Sequence, residues 1–364
     1  MRAEDAAEFE ATAQALSLAV SNTTGDTREM FTEQLFDHAI SGGGIGAAPA
    51  IAAALRMETS DVNSSLANTL MGRFSKRMEL LKQSAVAVGE DAPLDIDVLL
   101  LTVKGTEFKA ALDAFRVPLG EKPVDLGSGG EIWIVKHAET RYGIATIGDD
   151  GNVESAIQVK DLFRHTRFNA AVLLGMAAGV LGDVELGDVV IASSVHAYDF
   201  VRATPVRAFN RAKTYSPPAK TWQRIGTLDQ VDPEWAERVS REVLTSANFG
   251  GIDQAEPRKL DETWRPKVKI GGVLAGSILI EDNRLVRQKK NGEVHDRVLA
   301  AEMEGAGFAA ACLSEDAQWM VVRGIADFGG RKRRKSWQYP ATYAAAALIR
   351  DGIASGRLQF NVRG

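Results

Sequence analysis

The sequence has little cysteine, no long apolar run and no excess of basic charge. Its single cysteine, Cys312, excludes an intrachain disulfide and lies in an apolar stretch typical of a small core residue. The longest apolar run, 170–181, is interrupted by glycines and is shorter than the roughly 20 residues that cross a bilayer. The acidic N-terminus lacks the apolar region of a signal peptide. We therefore expect a cytoplasmic protein without a membrane partner.

The charge and the motif content argue against several classes of ligand. The 364 residues carry a formal net charge of −5 at pH 7, whereas nucleic acid is bound mainly through an excess of Lys and Arg. The five histidines show no metal-ligand spacing, and no Walker A sequence is present. The glycine-rich segment 42–46 follows a helical pattern rather than a strand, so it is not a dinucleotide fingerprint. We expect no metal ion and no organic cofactor.

Hydrophobic spacing divides the chain near residue 92. Residues 1–92 show only helical periodicity and carry 7 basic and 13 acidic side chains. Beyond residue 93, strand-like apolar runs alternate with helical stretches, and several runs are continuous, which is typical of a sheet buried on both faces. The sequence therefore predicts a small all-α domain, residues 1–92, followed by a three-layer α/β domain, residues 93–364.

The apolar runs place the elements of the α/β domain. The predicted strands are 96–103, 132–135, 142–147, 170–174, 188–193, 268–275 and 318–325. The predicted helices are 107–115, 152–165, 233–246, 301–313 and 339–353. Residues 200–266 are rich in Pro, Arg, Lys and Trp, which indicates an insertion or a lid.

The N-terminal segment 50–70 has the rhythm of a helix-turn-helix, with a Ser/Asp-capped second helix. A DNA-binding regulator is therefore an alternative from another functional class. Against it, residues 1–92 are acidic, and the second helix offers Arg73 only at its end, so little phosphate charge is neutralised. We expect residues 1–92 to serve dimerisation or sensing, and we expect no nucleic-acid partner.

Acidic side chains stand at three places where buried segments end. Glu107 follows an apolar strand and a glycine turn, at the strand edge where α/β active sites lie. Glu302 and Glu304 are the only acids of the small apolar segment 301–312, where a buried helix would require polar partners for them. Asp327 follows the strand 318–325 and is placed to act as an acid. Taken singly, each also fits a helix-capping or turn role.

Together these segments resemble the nucleoside phosphorylase superfamily over roughly residues 95–353, and within it most closely the 5′-methylthioadenosine/S-adenosylhomocysteine nucleosidases. The matching motifs are Leu-Thr-Val-Lys-Gly-Thr-Glu-Phe at 101–108, Gly-Met-Ala-Ala-Gly at 175–179, Leu-Gly-Asp-Val-Val-Ile-Ala at 186–192, Leu-Ala-Gly-Ser-Ile-Leu-Ile at 274–280, Ala-Glu-Met-Glu at 301–304 and Val-Arg-Gly-Ile-Ala-Asp at 322–327. The resemblance implies the mixed three-layer sheet of that superfamily and cleavage of a purine N-ribosyl bond.

The resemblance also assigns roles to individual residues. It implies that Asp327 protonates N7 of the leaving purine, that Glu107 activates water, and that Glu304 holds the sugar hydroxyls. The substrate-binding residues that it implies are Ala177, Gly179, Ile280, Glu302, Met303 and Glu304. Departure of a purine leaves an oxocarbenium-like ribosyl cation, so an acid, a water-activating carboxylate and a sugar-binding group form a coherent set.

Departures from the family pattern bear on the substrate and on the nucleophile. Ala326, Leu279 and Ser277 replace a usual Ser, an aromatic residue and an Asp, respectively, and this leaves the identity of the substrate open. Phosphorylases of the superfamily carry an Arg near the first motif, whereas here that turn has Lys104 and Glu107. A carboxylate there suits water better than phosphate, so we expect a hydrolase. A phosphate-dependent purine nucleoside phosphorylase, or a ligand-sensing regulator with an inactive nucleosidase domain, remains the alternative.

A basic run directly follows the proposed acid. Its members are candidate phosphate ligands: Arg331, Arg333, Arg334 and Lys335. A solvated surface loop is the structural alternative for such a run. The segment 335–347 also resembles phosphorylase-like effector domains of bacterial and fungal defence or NLR-type proteins, in which nucleotides up to ATP are substrates. AMP or ATP is therefore a candidate substrate. By the same resemblance, we expect a homodimer or larger homo-oligomer.

Overall fold

The computed structural model describes most of the chain beyond residue 92. The described residues are 93–118, 120–126, 130–148, 151–198, 201–203, 208–210, 212–218, 223–246, 249, 260–276, 297–329 and 335–360. The predicted all-α domain, the predicted substrate-binding residue Ile280 and the candidate phosphate ligands Arg331, Arg333 and Arg334 lie outside these residues.

Strands and helices alternate through the described residues, which confirms the predicted α/β class. The first half comprises β1 (Leu94–Asp95), β2 (Val98–Thr102), α1 (Gly105–Ala114), β3 (Val124–Asp125), β4 (Glu131–His137), β5 (Thr140–Thr146), α2 (Asn152–His165), β6 (Thr166–Arg167), β7 (Ala170–Gly179) and β8 (Val189–Ala197). The second half comprises β9 (Val201–Ala203), β10 (Ala208–Asn210), β11 (Lys213–Tyr215), a 3-10 turn (Ile225–Thr227), α3 (Leu228–Val231), α4 (Trp235–Thr245), β12 (Val268–Ala275), β13 (Val298–Glu302), α5 (Gly305–Ser314), β14 (Gln318–Asp327) and α6 (Lys335–Ala354).

Contacts between Cα atoms divide the chain into two units. One unit comprises Met1–Val88 and Tyr198–Ala212, and its described secondary structure is the antiparallel hairpin of β9 and β10. The other unit comprises Gly89–Ala197 and Lys213–Gly364 and contains all the other strands and helices that the structure describes.

A mixed ten-stranded sheet organises the second unit. Its order is β11-β8-β12-β13-β7-β2-β5-β4-β3, and β14 pairs with both β7 and β8. Because of this double pairing, strands β8, β12, β13, β7 and β14 form a closed ring, and β2, β5, β4 and β3 extend from it. Strands β2, β7 and β14 are parallel to one another, so their carboxyl ends lie at one edge. Among the described residues, no helix is long and apolar enough to cross a membrane.

Two hydrophobic cores lie on opposite faces of this sheet. Along β2, Val98 and Leu100 belong to the core that includes α1 and α6, whereas Leu99 and Leu101 belong to the core that includes α5. Successive side chains of a strand point to opposite faces, so a continuous apolar run is needed where both faces are covered. The arrangement confirms the predicted three layers.

The predicted start of one helix is wrong. We predicted a helix over 301–313, but β13 runs to Glu302, and α5 begins at Gly305. The alanine-rich sequence favours a helix locally, whereas pairing with β12 and with β7 fixes the first residues as a strand. As a result Glu302 ends a strand and Glu304 is the N-cap residue of α5, and neither lies inside the helix.

Candidate active site

Glu107 lies at the carboxyl end of β2, on the first turn of α1. Its side chain is buried, and its Oε2 accepts the backbone N–H groups of Val103 and Lys104, both at 2.9 Å. Its Oε1 accepts the backbone N–H of Met176 on β7 at 2.8 Å. The first turn of a helix carries N–H groups that favour a carboxylate. Glu107 is therefore fixed between two neighbouring strands.

Arg323 is a fully buried cation in the middle of β14. Its Nη2 donates hydrogen bonds to the carboxylates of Glu302 and Glu304, the latter at 3.2 Å. The Nε and Nη1 of Arg323 are buried and make no hydrogen bond within the described part of the chain. A buried charge requires partners of opposite charge, and here Glu302 and Glu304 are those partners.

Gly175 on β7 makes room for both charged groups. It lies opposite Arg323 in the register of β7 and β14. A Cβ built at Gly175 would lie 2.5 Å from Glu107 Oε1 and even closer to Arg323 Nη1. The Glu107 carboxylate and the Arg323 guanidinium therefore both face this glycine, and any side chain there would displace them.

The cluster around Arg323 holds one guanidinium and three carboxyl groups. Burial alone would lower the pKa of the Arg323 guanidinium, but the carboxylates of Glu302, Glu304 and Glu107 outweigh it and raise the pKa above its ordinary value. Arg323 therefore stays charged. Three carboxyl groups lie around one guanidinium, and such a cluster favours a ligand that develops positive charge.

The N-terminal end of α5 is held by two side chains. Glu302 accepts the backbone N–H of Glu304 at 3.1 Å and that of Gly305 at 3.0 Å. The Oδ1 of Asn152, the first residue of α2, accepts the N–H groups of Ala306 and Gly307, both at 3.0 Å. These bonds satisfy donors that have no partner inside the helix.

Asp327 ends β14 at the same edge of the sheet. It lies opposite Ala178 of β7, next to an irregularity in the register, and its side chain is half-buried. Its Oδ1 accepts the backbone N–H of Gly329 at 2.7 Å. Since β2, β7 and β14 are parallel, their ends bring Glu107 and Asp327 to one edge.

The other predicted site residues within the described ranges differ in burial. Ala177 is buried, Met303 is half-buried between the two acids of its motif, and Lys335 is the exposed first residue of α6. Gly179 packs tightly, because a Cβ there would lie 2.5 Å from Val184. The roles of these residues stay predictions.

We did not predict Arg323 as a site residue from the sequence, although it lies in one of the matching motifs. The signal was available: a lone Arg stands inside the apolar strand Gln318–Asp327, and a charge placed there must be paired. Within the described residues, no group of three or more His, Cys, Asp or Glu side chains is arranged to hold a metal ion.

Comparisons with known proteins agree on one family. A family model described as the phosphorylase superfamily matches residues 97–350. The ATP nucleosidase Cap17 of Escherichia coli (strain KTE188) is 26% identical over 270 residues, which are 71% of this chain and 51% of that protein. A nucleotide-binding leucine-rich repeat (NLR)-like protein of Hyaloscypha variabilis is 24% identical over 317 residues, 75% of this chain and 30% of that protein. The chain therefore spans about half the length of the first relative and less of the second.

A solved structure shows the same fold. The crystal structure of the Helicobacter pylori 5′-methylthioadenosine/S-adenosylhomocysteine nucleosidase matches with a TM-score of 0.54 at 14% sequence identity. The match covers 73% of this chain and the whole of that chain. At this identity the likeness concerns the fold.

Proposed function

The chain belongs to the phosphorylase superfamily, and from that premise we propose that it hydrolyses the N-ribosyl bond of a purine nucleoside or nucleotide. The observation that carries this proposal is the buried Arg323 with its carboxyl neighbours Glu107, Glu302 and Glu304. Such a cluster stabilises positive charge on a ribosyl group and offers two unused donors to a water molecule.

We assign one group of the site to each step of the reaction. Asp327 donates a proton to the purine as the bond between the purine nitrogen and C1′ breaks, and the bond's electron pair leaves with the base. A water molecule held between Glu107 and Arg323 attacks C1′, and Glu107 receives its proton. Glu304 binds the ribose hydroxyls and stabilises the developing cation. Acid and base steps of this kind each contribute roughly 10²–10⁴-fold.

The hydrogen bonds of the site favour water over phosphate as the nucleophile. The Arg323 Nη2 is taken by Glu302 and Glu304, and Glu302 and Asn152 occupy the backbone donors of α5. Phosphate is bound by cations and free helix N-termini. Here Arg323 Nη2 and the backbone donors of α5 already bind protein oxygens, and a buried Glu107 carboxylate would repel the anion.

A nucleotide is the substrate that we favour within this class. One relative is named an ATP nucleosidase, and its match covers most of this chain. In this chain the basic run that ends at the exposed Lys335 begins four residues after Asp327, and Lys104 is the N-cap residue of α1, three residues before Glu107. Lys and Arg bind phosphate groups through charge-assisted hydrogen bonds. We propose AMP or ATP, bound with its phosphates toward these cations.

Two further expectations stay proposals. The NLR-like relative supports a role as an effector in defence, working in the cytoplasm on the nucleotide pool. A homodimer or larger assembly is expected from the family, and light scattering on the purified chain would measure it.

A product assay tests the proposed activity. The purified full chain is incubated separately with adenosine, methylthioadenosine, AMP and ATP, with and without phosphate, and free adenine is measured by chromatography. We expect adenine release that does not depend on phosphate and is lost in Asp327→Asn. Release that requires phosphate would establish a phosphorylase instead. No release from any substrate would contradict the proposal and favour a ligand-sensing role.

A further inference from the structure

We infer that Asn152 is a positioning residue, which holds the N-terminal end of α5 and thereby places Glu304 against the ribose. The inference rests on the proposed function, since Glu304 binds ribose only if the chain acts on a nucleoside or nucleotide. Asn152 lies on α2, and it belongs to none of the motifs that resemble the family.

The amide of Asn152 caps a helix other than its own. Its Oδ1 accepts the N–H groups of Ala306 and Gly307 at 3.0 Å each. A capping residue normally directly precedes the helix that it caps, whereas Asn152 is more than 150 residues away in the sequence. The bonds therefore join α2 to α5.

Asn152 and Glu302 together accept hydrogen bonds from four successive backbone N–H groups. Glu302 accepts the N–H groups of Glu304 and Gly305, and Asn152 accepts the next two. Glu302 is itself fixed by Arg323. The position of the helix end is thus set by one contact to β14 and one contact to α2.

The backbones of the two helices touch at the same point. A Cβ built at Gly307 would overlap the carbonyl oxygen of Asn152 and lie 2.5 Å from its carbonyl carbon. Ala306 and Gly307 are buried, so little room remains for water to replace the amide of Asn152. Loss of that amide would leave two buried N–H groups without an acceptor.

Any movement of the N-terminal end of α5 would displace the carboxylate of Glu304. It is the N-cap residue of α5, and its carboxylate is bound to Arg323. A carboxylate that must meet the sugar hydroxyls in the transition state loses its effect when displaced by about 1 Å, and such a displacement costs on the order of 10²-fold in rate.

The test compares two substrates that differ only in a hydroxyl group. In the full chain, kcat/KM is measured for the best purine ribosyl substrate and for its 2′-deoxy counterpart, with wild type, Asn152→Ala, Asn152→Asp and Glu304→Gln. Lys160→Ala, an exposed position on the same helix, is the matched control. Circular dichroism and thermal melting confirm that each variant is folded.

We expect Asn152→Ala to lower kcat/KM for the ribosyl substrate by about 10–100-fold and for the deoxy substrate by less, as in Glu304→Gln. Asn152→Asp keeps the acceptor at a helix N-terminus and should recover most of the activity. The control should match wild type. If Asn152→Ala does not fold, Asn152→Ser replaces it in the same comparison.

Equal losses for both substrates, or an aspartate variant no better than alanine, would show a purely structural role and overturn the inference. A wild-type chain that cleaves neither substrate would instead refute the proposed function, and the inference would fall with it. The two failures differ, because the first leaves wild-type activity intact.

Discussion

Glu107 Oε1 accepts the backbone N–H of Met176 at 2.8 Å, so the carboxylate at the start of α1 is bound to the neighbouring strand β7. That bond places the carboxylate beside Gly175 and the guanidinium of Arg323. The proposed nucleophile, its activating carboxylate and the buried cation therefore depend on one another. Substitutions at Glu107, Gly175 or Arg323 should change kcat far more than they change the affinity for the substrate.

The space over Gly175 should be essential. In Gly175→Ala the new Cβ would collide with Glu107 Oε1 and Arg323 Nη1 and displace both groups. We expect kcat to fall by about 100-fold or more, measured as adenine release under saturating substrate. Gly130→Ala is the control, because a Cβ there meets nothing within 4 Å. Equal activity of the two variants would contradict the placement of the water site.

The forked guanidinium of Arg323 should not be replaceable by a lysine. Arg323→Lys keeps the charge but has a single ammonium to serve Glu302, Glu304 and the attacking water. We expect kcat to fall by about 10²-fold and the thermal midpoint to decrease. Arg164→Lys, which alters an exposed pair with Asp161, should leave both quantities unchanged. An active Arg323→Lys enzyme would show that charge alone suffices.

The need for Asp327 should depend on the leaving group. Adenine departs poorly without a proton, whereas p-nitrophenolate needs none. We expect Asp327→Asn to lower kcat/KM for the purine substrate by about 10²–10⁴-fold and for p-nitrophenyl riboside by much less. Glu107→Gln should slow both substrates. Equal losses for both substrates in Asp327→Asn would contradict its role as the acid.

A second charged cluster, which joins α4 to α6, makes stability depend on pH. Burial acts to raise the pKa of the Glu242 carboxyl, but attraction to Arg350 and hydrogen bonds from Arg350, Tyr343 and Arg116 outweigh it, so the pKa lies below its ordinary value of 4.5. A carboxyl with a lowered folded-state pKa stabilises the fold above its unfolded pKa, and this contribution is lost as pH falls through the folded pKa.

Glu242→Gln should therefore lose stability only where the carboxylate is ionised. We expect it to be less stable than wild type by roughly 1–3 kcal/mol at pH 7, and the difference should shrink below about pH 4.5. Thermal melting across a pH series measures it. Glu139→Gln, which removes an exposed pair with Lys136, is the control. A difference that does not depend on pH would contradict the ionic account.

Local patterns were sufficient to predict much of the sheet. The strand Val268–Ala275 and the helix Asn152–His165 have the predicted bounds, because a largely apolar run and a clear helical period mark them. The strand Val298–Glu302 was missed, because its alanines favour a helix and only pairing with β12 and β7 extends it.

The site could be predicted only in part, for a similar reason. Motifs predicted roles for the acids Glu107, Glu304 and Asp327, which end strands or begin helices, and these roles stay predictions. The contribution of Asn152 depends on a contact between helices distant in sequence, and that of Arg323 depends on which face of β14 meets Gly175. The lone charge of Arg323 in an apolar strand is a local signal, but the partner residues of these two contacts cannot be read from the local sequence.

The most direct test of hydrolysis follows the oxygen. The full chain is incubated with its best purine substrate in ¹⁸O-labelled water that contains unlabelled phosphate, and the sugar product is analysed by mass spectrometry. We expect free adenine and a ribosyl product with one ¹⁸O at C1′, and we expect both products to be absent with Glu107→Gln. A ribose 1-phosphate product, or a sugar without the label at the moment of release, would contradict attack by water beside Glu107 and Arg323.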